Sequence, residues 1–384
     1  MKKLSKNLHL SKPEIIKKGS IFTPDYIVEL VYKQIIPYIN NKSIIGDFCS
    51  GYGAFLDKFN TLPNRCFGTE LDDKSYDFLI KNFNNEIYHE NSLINVNRNK
   101  YNITNSDELI IVGNPPYNDT TSHYKKGEKG KLICDEDLIS RDMGTSFMKA
   151  YSKLHAKYIC ILHPLAYLIK KQNFNMLKDF KNNYKLINAI IFSSKEFESI
   201  KKSNSDFPVV AALYERDKHG MSYDDIYKFK FEIFNSNKTF CLENIQTIDG
   251  IISKYPKKGD KNKIQFYTQR DMNSLLRNTS FTNNAKDNGI NVTIDNLYQY
   301  SWLFFLKSNF NPKNNKFLYG NLSPLYFSDL EKDSYKNAVV SYAYNNCSIV
   351  SNSIPKEEIE TKYGPLVNEY KILFDKLKEL YIFE

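Results

Sequence analysis

Between residues 43 and 214 the sequence alternates between short apolar runs and longer segments in which apolar residues have helical spacing. A polar or acidic residue stands where each of the first four apolar runs ends, at Asp47, Glu70, Asn91 and Asn114. Short apolar runs separated by helical segments are typical of parallel strands joined by crossover helices. The pattern therefore predicts a doubly wound α/β sheet with functional groups gathered along the carboxyl edge of its strands.

The fourth apolar run leads into an unusual corner. Residues 109–112 have the pattern of a buried strand, and Gly113 lets the backbone turn sharply at its end. The next four residues are Asn114-Pro115-Pro116-Tyr117. Proline fixes φ and has no N–H, so this corner presents an amide oxygen, backbone carbonyls and an aromatic ring with few competing donors. Two acceptors beside an aromatic face suit an amino group attached to a planar ring.

An Asn-Pro-Pro-Tyr segment directly after an apolar strand resembles the catalytic tetrapeptide of S-adenosylmethionine-dependent amino methyltransferases, above all the adenine-N6 DNA methyltransferases. Relatives that methylate a protein glutamine amide or an RNA amine share this tetrapeptide, so it does not by itself select the substrate. The resemblance implies that Asn114, Pro115, Pro116 and Tyr117 form the catalytic corner. It also implies a Rossmann-like class I methyltransferase sheet with S-adenosyl-L-methionine as the cofactor.

The first apolar run ends in a glycine turn. Asp47 stands four positions before Gly51, and Gly53 follows just ahead of a helical segment. Glycines let the backbone approach a ligand closely, and a helix N-terminus comes next. The segment resembles the Asp-x-x-x-Gly-x-Gly loop of class I methyltransferases, which implies that Asp47, Gly51 and Gly53 cradle the methionine part of the cofactor.

The next two strand ends carry further polar groups. Glu70 follows Gly53 by 17 positions, close to the spacing at which nucleotide-binding folds place a carboxylate against ribose hydroxyls. The resemblance implies that Leu71 packs on the adenine of the cofactor. At the third strand end the family often has Asp, whereas this chain has Asn91-Ser92. An amide oxygen still accepts a hydrogen bond, so we expect Asn91 and Ser92 to contact the cofactor's adenine amine.

Two outer segments complete the predicted site. Thr23 and Pro24 precede a helical segment, in which Thr23 would cap the helix and Pro24 would occupy its first position. They resemble the Thr-Pro motif that amino methyltransferases place against the methionine end of the cofactor. Phe207 precedes a later apolar strand, where the adenine methyltransferases have an aromatic residue facing the target base from the side opposite Tyr117. A core phenylalanine at a strand start is the alternative interpretation of Phe207.

The resemblance implies a definite chemistry. The lone pair of the adenine N6 amine is delocalised into the ring, and methyl transfer requires it to point at the methyl group. Hydrogen bonds from this amine to the Asn114 side chain and the Pro115 carbonyl would align the nitrogen and stabilise its developing positive charge. An amine inside a duplex cannot reach such a corner, so the adenine would be rotated out and stacked on Tyr117 and Phe207. Neither a strong base nor a metal ion is required.

The strand–helix alternation stops near Arg216, and 384 residues exceed the usual size of one domain. We therefore predict a catalytic domain at residues 1–215 and an α+β target-recognition domain at residues 216–384. Residues 254–316 contain 11 Lys or Arg against 4 Asp or Glu, interleaved with the Tyr, Gln and Asn that phosphate contacts and base reading require. A solvated basic face is the alternative. The predicted DNA-binding residues are Lys257, Lys258, Lys261, Lys263, Arg270 and Arg277.

The order of these motifs resembles that of the γ class of adenine-N6 DNA methyltransferases, with the target-recognition domain last. A formal net charge of +9 favours a polyanionic partner. The resemblance implies double-stranded DNA as the substrate, within a restriction–modification system that has a cognate restriction endonuclease. Two alternatives stay open: a methyltransferase of a protein glutamine or of RNA, and a non-catalytic DNA-binding subunit.

The remaining features concern the cellular setting and the loops. Six widely spaced cysteines without a Cys-x-x-Cys pair predict reduced, mostly buried thiols. No apolar signal core follows Met1 and no run is long enough to cross a bilayer, so we expect a cytoplasmic protein. We also expect it to be a monomer. The polar composition of residues 118–144 predicts a loop, which is either a lid or a disordered segment. Helices are predicted at residues 142–155 and 365–383. His163, at a strand end, is either a general base or a structural residue.

Overall fold

The structure is a computed structural model, and it divides into two compact units, Met1–Leu242 and Glu243–Glu384. It describes residues 21–117, 134–140, 142–197, 206–253, 264–269, 271–276, 280–284, 289–310, 317–320 and 322–381.

A nine-stranded mixed sheet forms the centre of the first unit. Its strands are β1 (Ser43–Asp47), β2 (Cys66–Glu70), β3 (Glu86–His89), β4 (Glu108–Gly113), β5 (Tyr158–Pro164), β6 (Tyr184–Ser193), β7 (Pro208–Arg216), β8 (Phe231–Ile233) and β9 (Thr239–Phe240). Their order across the sheet is β3-β2-β1-β4-β5-β7-β6-β8-β9. Strands β1 to β5 are parallel to one another, whereas β7 is antiparallel to both of its neighbours.

The middle strands are covered on both faces. Every residue of β1 is buried, and the four apolar residues 109–112 of β4 are at most 1% exposed. Ile45 of β1 lies opposite Ile110 of β4, so the two strands end at the same edge of the sheet. Such continuous burial is typical of parallel sheets with helices on both faces. The doubly wound sheet predicted from the sequence is confirmed.

The boundary between the two units differs from the predicted one. The predicted boundary lies after residue 215, where the strand–helix alternation of the sequence ends. In the structure β8 pairs in parallel with β6 through Ile190 and Glu232, and β9 pairs with β8. These short strands lengthen the first sheet, so the first unit continues to Leu242. Strands of three and two residues carry too little periodicity to be recognised in the sequence.

Helices cover the first sheet, and α1 supplies much of one apolar layer. Ile27, Val31 and Ile35 of α1 are fully buried in one cluster with Phe59 of α2. The 3.6-residue period places these α1 side chains on a single face of the helix. The helices of this unit are α1 (Asp25–Ile35), α2 (Ala54–Phe59), α3 (Asp73–Asn82), α4 (Met143–Lys153), α5 (Ala166–Ile169), α6 (Lys171–Met176), α7 (Asp179–Asn183) and α8 (Tyr223–Lys228).

The helix predicted at residues 142–155 is α4, and Asp142 caps it by accepting a hydrogen bond from the Gly144 amide at 2.9 Å. The loop that precedes it was predicted at residues 118–144. Its residues 118–133 and 141 lie outside the described residues. The short 3-10 helix Glu136–Leu138 belongs to the described part.

The second unit is of α+β class, as predicted. Its antiparallel sheet has the order β11-β10-β12, and the indole of Trp302, fully buried, donates to the Leu325 carbonyl at 2.8 Å. The closing helix predicted at residues 365–383 is shorter in the structure, where it is α13. The elements of this unit are β10 (Gln265–Tyr267), β11 (Phe281–Thr282), β12 (Gly289–Asn291), α9 (Leu297–Asn309), α10 (Asp333–Asn346), α11 (Ser348–Ser353), α12 (Lys356–Tyr363) and α13 (Lys371–Leu380).

Two sequence expectations concern the whole chain. Among the helices within the described ranges, none has the length and apolar character needed to span a bilayer. All six cysteines are free thiols that form no disulfide bond, and three of them, Cys66, Cys160 and Cys241, are buried.

Candidate active site

The glycine turn after β1 borders an open space. Gly51 has φ +54° and Gly53 has φ +79°, both in the left-handed region that favours glycine. A Cβ built on Gly51 would meet no heavy atom within 4 Å, whereas one on Gly53 would lie 2.7 Å from the Phe83 ring. Gly53 is therefore required for close packing at the start of α2. Gly51 is required because the turn has a left-handed backbone conformation, and its Cβ position borders open space.

Glu70, the last residue of β2, is hydrogen-bonded to this turn. One carboxylate oxygen accepts from the Gly51 amide at 2.7 Å, and the other accepts from the Leu71 and Asp72 amides at 2.8 and 2.7 Å. Burial raises the pKa of Glu70, although these three N–H groups favour its ionised form. The neighbouring Leu71 is 63% exposed. A fixed carboxylate thus lies beside an exposed apolar side chain at the predicted cofactor edge.

Asp47, the last residue of β1, is a buried carboxyl group with one unused oxygen. Its Oδ1 accepts from the Cys49 amide at 3.1 Å, while its Oδ2 is buried and has no hydrogen-bond partner. Burial and the charge of Glu70 together raise the pKa of Asp47 to about 7, against the opposing effect of the Cys49 amide. A Cβ on Gly113 would approach Asp47 Oδ1 to 2.8 Å, so the ends of β1 and β4 meet at this carboxyl group.

Asn91 and Ser92 close the turn after β3. The Asn91 side-chain oxygen accepts from the Leu93 amide at 2.9 Å. The Ser92 hydroxyl is buried, donates to the Phe48 carbonyl at 3.0 Å and lies 2.5 Å from the Thr69 hydroxyl. These contacts tie the turn to the end of β1 and to β2. The predicted adenine contact at these two residues stays a prediction.

Thr23 orients the side chain of Asn114. The Asn114 Nδ2 donates to Thr23 Oγ1 at 3.1 Å, which leaves the amide oxygen Oδ1 buried and without a partner. Helix α1 begins at Asp25, with Pro24 as its N-cap and no side-chain cap. The predicted capping role of Thr23 and the predicted helical position of Pro24 are therefore wrong, because the Thr23 hydroxyl is engaged by Asn114 instead. Thr23 itself is buried.

Tyr117 and Phe207 come together from distant parts of the chain. Their ring centroids are 6.5 Å apart and the ring planes meet at 83°, an edge-to-face contact. The Phe207 backbone is fixed by Ser194, whose amide donates to the Phe207 carbonyl at 2.9 Å and whose hydroxyl accepts from the Phe207 amide at 3.1 Å. A planar group would enter between the two rings only after one of them turns toward a parallel orientation.

Three of the buried polar atoms without a partner belong to the predicted site: Asp47 Oδ2, Asn114 Oδ1 and the Tyr117 hydroxyl. Buried polar atoms in folded proteins are almost always hydrogen-bonded, because leaving one unpaired costs about 1–3 kcal/mol. Asp47 Oδ2 and Asn114 Oδ1 therefore remain free to accept hydrogen bonds at the carboxyl edge of the sheet.

Asp142 and Tyr167 were not among the site residues predicted from the sequence. The Tyr167 hydroxyl donates to the Asp142 carboxylate. Burial raises the pKa of the Tyr117 phenol, and the negative charge of Asp142 also raises it. Asp142 could be recognised in the sequence as a helix cap, but its proximity to Tyr117 depends on the fold.

His163 is a structural residue. Its Nδ1 lies 3.0 Å from the Pro164 carbonyl and must donate to it, so Nε2 accepts from the Tyr214 hydroxyl at 2.7 Å. Burial lowers the pKa of His163 to about 4. The imidazole is thus neutral with both nitrogens engaged, which excludes the general-base interpretation.

Two further sequence predictions concern metal ions and contacts with DNA. In the described ranges no group of three or more His, Cys, Asp or Glu is arranged to hold a metal ion. The predicted DNA-binding residues lie outside the described residues: Lys257, Lys258, Lys261, Lys263, Arg270 and Arg277. Pro115 is buried and Pro116 is half-buried on the same corner as Asn114.

Comparisons with known proteins give distant similarities. No family model matches the chain. The DNA mismatch repair protein MutS of Ehrlichia chaffeensis is 28% identical over 157 residues, which cover 37% of this chain and 19% of that protein. The chain thus matches less than a fifth of the length of this curated relative.

Solved structures with a similar fold include several methyltransferases. A protein of Listeria monocytogenes assigned as a class I S-adenosylmethionine-dependent methyltransferase is 15% identical, with 60% of this chain and 74% of that chain covered and a TM-score of 0.39. A dimethyladenosine transferase of Plasmodium falciparum is 12% identical, with 52% and 63% covered and a TM-score of 0.33. The 23S rRNA methyltransferase ErmE is 9% identical, with 53% and 71% covered and a TM-score of 0.34.

The class of fold follows from the strand order of the chain itself. Three strands lie on one side of β4, and on the other side β7 is inserted antiparallel between β5 and β6. This is the Rossmann-like sheet of class I methyltransferases, as the sequence predicted. The site described above lies at the carboxyl ends of β1, β2 and β4, where open α/β sheets bind their ligands.

Proposed function

We propose that this protein is a site-specific, S-adenosylmethionine-dependent DNA methyltransferase that methylates the N6 amine of a flipped adenine in double-stranded DNA. The observation that carries the proposal is the buried, unpartnered Asn114 oxygen, held by Thr23 on a two-proline corner beside Tyr117. An acceptor that lacks a donor, next to an aromatic ring, matches an amino group on a planar base.

The residues along the sheet edge fit the cofactor. The unpartnered oxygen of Asp47 suits an ammonium group, and the Glu70 carboxylate beside the Gly51 turn suits ribose hydroxyls. The exposed Leu71 offers an apolar surface for a purine, and the space in front of Gly51 admits the ligand. When bound, S-adenosylmethionine supplies a methyl group carried on a positively charged sulfur.

The chain's own contribution to transfer is alignment and electrostatic stabilisation. The Asn114 oxygen accepts an N–H of the target amine and so directs the nitrogen lone pair. The Thr23 hydroxyl keeps the amide in the orientation that leaves this oxygen without a partner. As the nitrogen gains positive charge, the same preorganised dipole stabilises it without reorganisation. The neighbouring Pro115 carbonyl is the proposed second acceptor.

Stacking holds the base in place. Tyr117 and Phe207 meet edge to face, and a flipped adenine would lie against Tyr117 once Phe207 turns. Base–aromatic stacking contributes about 1–3 kcal/mol per base. This is enough to offset much of the cost of unstacking a base from a duplex, which is a few kcal/mol.

The proposal includes the remainder of the chain. The basic segment with Lys257, Lys258, Lys261, Lys263, Arg270 and Arg277 would contact DNA phosphates, and the second unit would read the target sequence. Such an enzyme would act as a monomer in a restriction–modification system with a cognate restriction endonuclease.

Transfer of a tritiated methyl group to duplex DNA, to RNA and to a glutamine-containing peptide tests the substrate class. We expect label in duplex DNA, and N6-methyladenine after its hydrolysis to nucleosides. Label in RNA or peptide alone would replace the DNA assignment with one of the two other amino methyltransferase classes. Binding of DNA without any transfer would indicate a non-catalytic subunit.

Asn114→Ala tests the observation that carries the proposal. We expect transfer to fall at least 100-fold, since oxyanion-hole-type donors or acceptors contribute about that much. Cofactor affinity, measured by calorimetry, should stay within about threefold. Asn84→Ala, at an exposed asparagine, is the matched control and should leave both quantities unchanged. Wild-type transfer in Asn114→Ala would contradict the assigned role.

A further inference from the structure

A second polar cavity lies at the opposite edge of the main sheet, where β4 and β5 begin and β7 ends. Its volume is about 380 Å³. It is lined by Arg98, Asn105, Asp107, Glu108, Leu109, His155, Lys157 and Arg216. At about 3.3 Å per residue, the length of β4 separates this cavity from Asn114 by roughly 17 Å. It is therefore distinct from the candidate active site.

The acidic groups of this cavity are already engaged. Asp107 accepts from the amide and hydroxyl of Thr104 at 2.6 and 2.7 Å. Glu108 accepts from the Lys157 ammonium at 2.7 Å and from the Asn40 amide group at 2.6 Å. The charge of Lys157 is thus compensated, and neither carboxylate is paired with an arginine.

Arg98 projects its charge into the cavity without a carboxylate partner. Its two terminal nitrogens donate to neutral carbonyls of Leu154, Thr104 and Asp107 at 3.1, 2.7 and 2.8 Å, which orient the guanidinium. Its Nε is buried and has no hydrogen-bond partner. Burial lowers the pKa of Arg98, the carboxylate of Asp107 opposes this effect, and the charge of Arg216 reinforces it. The fixed Nε–H is a donor that lacks an acceptor.

Arg216 and His155 complete a cationic wall. Arg216, at the exposed end of β7, forms no ion pair among the described residues, whereas Arg65 on the same unit forms a two-pronged pair with Glu86 at 3.0 and 2.6 Å. His155 has φ +52°, and partial burial together with the charges of Arg216 and Arg98 lowers its pKa. Three groups that carry or can take a positive charge therefore repel one another around one space.

We infer that this cavity binds a phosphate group, held by the Arg216 guanidinium and the His155 imidazole, with the charge of Arg98 in the wall beside them. A tetrahedral phosphate presents several oxygens to separate donors, and arginine forks match this geometry better than a lysine does. An anion would offset the mutual repulsion of the three groups. The inference does not depend on the proposed transfer at Asn114.

Calorimetric titration of the full chain with inorganic phosphate and with adenosine monophosphate tests the site, with acetate as the anion control. We expect one phosphate per chain, bound at least tenfold more tightly than acetate. Arg216→Gln should weaken phosphate binding at least tenfold. Lys218→Gln, which removes the same charge from an exposed residue outside the cavity lining, should change it less than twofold.

His155→Asn gives a second measurement that does not disturb the backbone, since asparagine tolerates the left-handed conformation of residue 155. It should weaken phosphate binding about threefold or more. Phosphate binding no tighter than acetate binding would overturn the inference. So would Arg216→Gln and His155→Asn chains that both bind phosphate like the wild type.

The phosphate could belong to a small molecule or to a nucleic acid backbone, and a competition experiment separates the two. If duplex DNA displaces bound phosphate, and Arg216→Gln weakens DNA binding more than Lys218→Gln does, the site holds a backbone phosphate. If DNA leaves phosphate bound, the ligand is a small phosphate-bearing molecule. Methyl transfer by Arg216→Gln at saturating DNA should equal that of the wild type, which separates this site from the proposed active site.

Discussion

Thr23→Val removes the group that orients Asn114 and keeps the shape of the side chain. The hydrogen bond from Asn114 Nδ2 to Thr23 Oγ1 is 3.1 Å long, and the Thr23 side chain is buried. A neutral hydrogen bond contributes about 0.5–1.5 kcal/mol net, and a buried N–H left unpaired costs about 1–3 kcal/mol. In the variant the amide loses roughly 1–2 kcal/mol of preference for the orientation that leaves Oδ1 free to accept from the target amine.

This loss translates into rate. Because about 1.36 kcal/mol corresponds to a factor of ten, the catalytic rate of Thr23→Val should fall about 5- to 30-fold. The effect should appear in single-turnover transfer of a labelled methyl group with cofactor and duplex DNA both saturating. Saturation separates the alignment of the amine from any change in cofactor affinity, since Thr23 is also predicted to border the cofactor.

Thr23→Ser is the matched control, because it keeps the hydroxyl and removes only a methyl group. It should transfer within about threefold of the wild-type rate. Thermal unfolding of both variants checks that neither change acts through the fold. A Thr23→Val enzyme with the wild-type single-turnover rate would refute the reasoning, because the orientation of Asn114 would then not depend on Thr23.

Three further predictions follow from other residues. Tyr117→Phe should keep most of the activity, since its unpartnered hydroxyl is not needed for stacking, whereas Tyr117→Ala should lose at least tenfold in single-turnover rate. Burial raises the pKa of Asp47 to about 7, so its folded form keeps a proton that the unfolded chain releases near pH 4. Urea unfolding should show stability falling between about pH 4 and 7, and Asp47→Asn should reduce this fall by up to about 4 kcal/mol, leaving the contribution of Glu70, whose pKa is also raised. Lys257→Gln with Arg277→Gln should flatten the salt dependence of DNA binding by about two in the log–log slope, and an unchanged slope would move the DNA contacts elsewhere.

The sheet could be predicted from the sequence because its signal is local. Residues 109–112 are apolar without interruption, as a strand buried on both faces requires, and the structure has them at most 1% exposed. The polar residues that end β1, β2 and β4 could be placed on one edge since parallel strands end at the same side. The short β8 and β9 gave no such signal, so the predicted boundary after residue 215 came too early.

The contacts within the site depend on the fold and could not be derived from local pattern. Thr23 resembles a helix cap in the sequence, and its engagement by a side chain 91 positions away becomes visible only when α1 and the end of β4 are placed together. The same holds for Asp142, which is the first residue of the helix predicted at residues 142–155 and whose charge acts on Tyr117 in the structure. Local propensity describes what a residue is able to do, and tertiary contacts decide which of these roles it takes.

The choice of an amide at residue 114 has a physical reason that the neighbouring Asp47 illustrates. Burial at this edge of the sheet, together with the charge of Glu70, raises the pKa of the Asp47 carboxyl group to about 7, and burial would favour the protonated form of a carboxylic acid at residue 114 in the same way. A protonated acid presents a donor to an amine that needs an acceptor. The Asn114 amide keeps one acceptor oxygen at every pH and carries no net charge. Its other half, the NH₂ group, is engaged by Thr23, so the side chain has a single orientation toward the ligand.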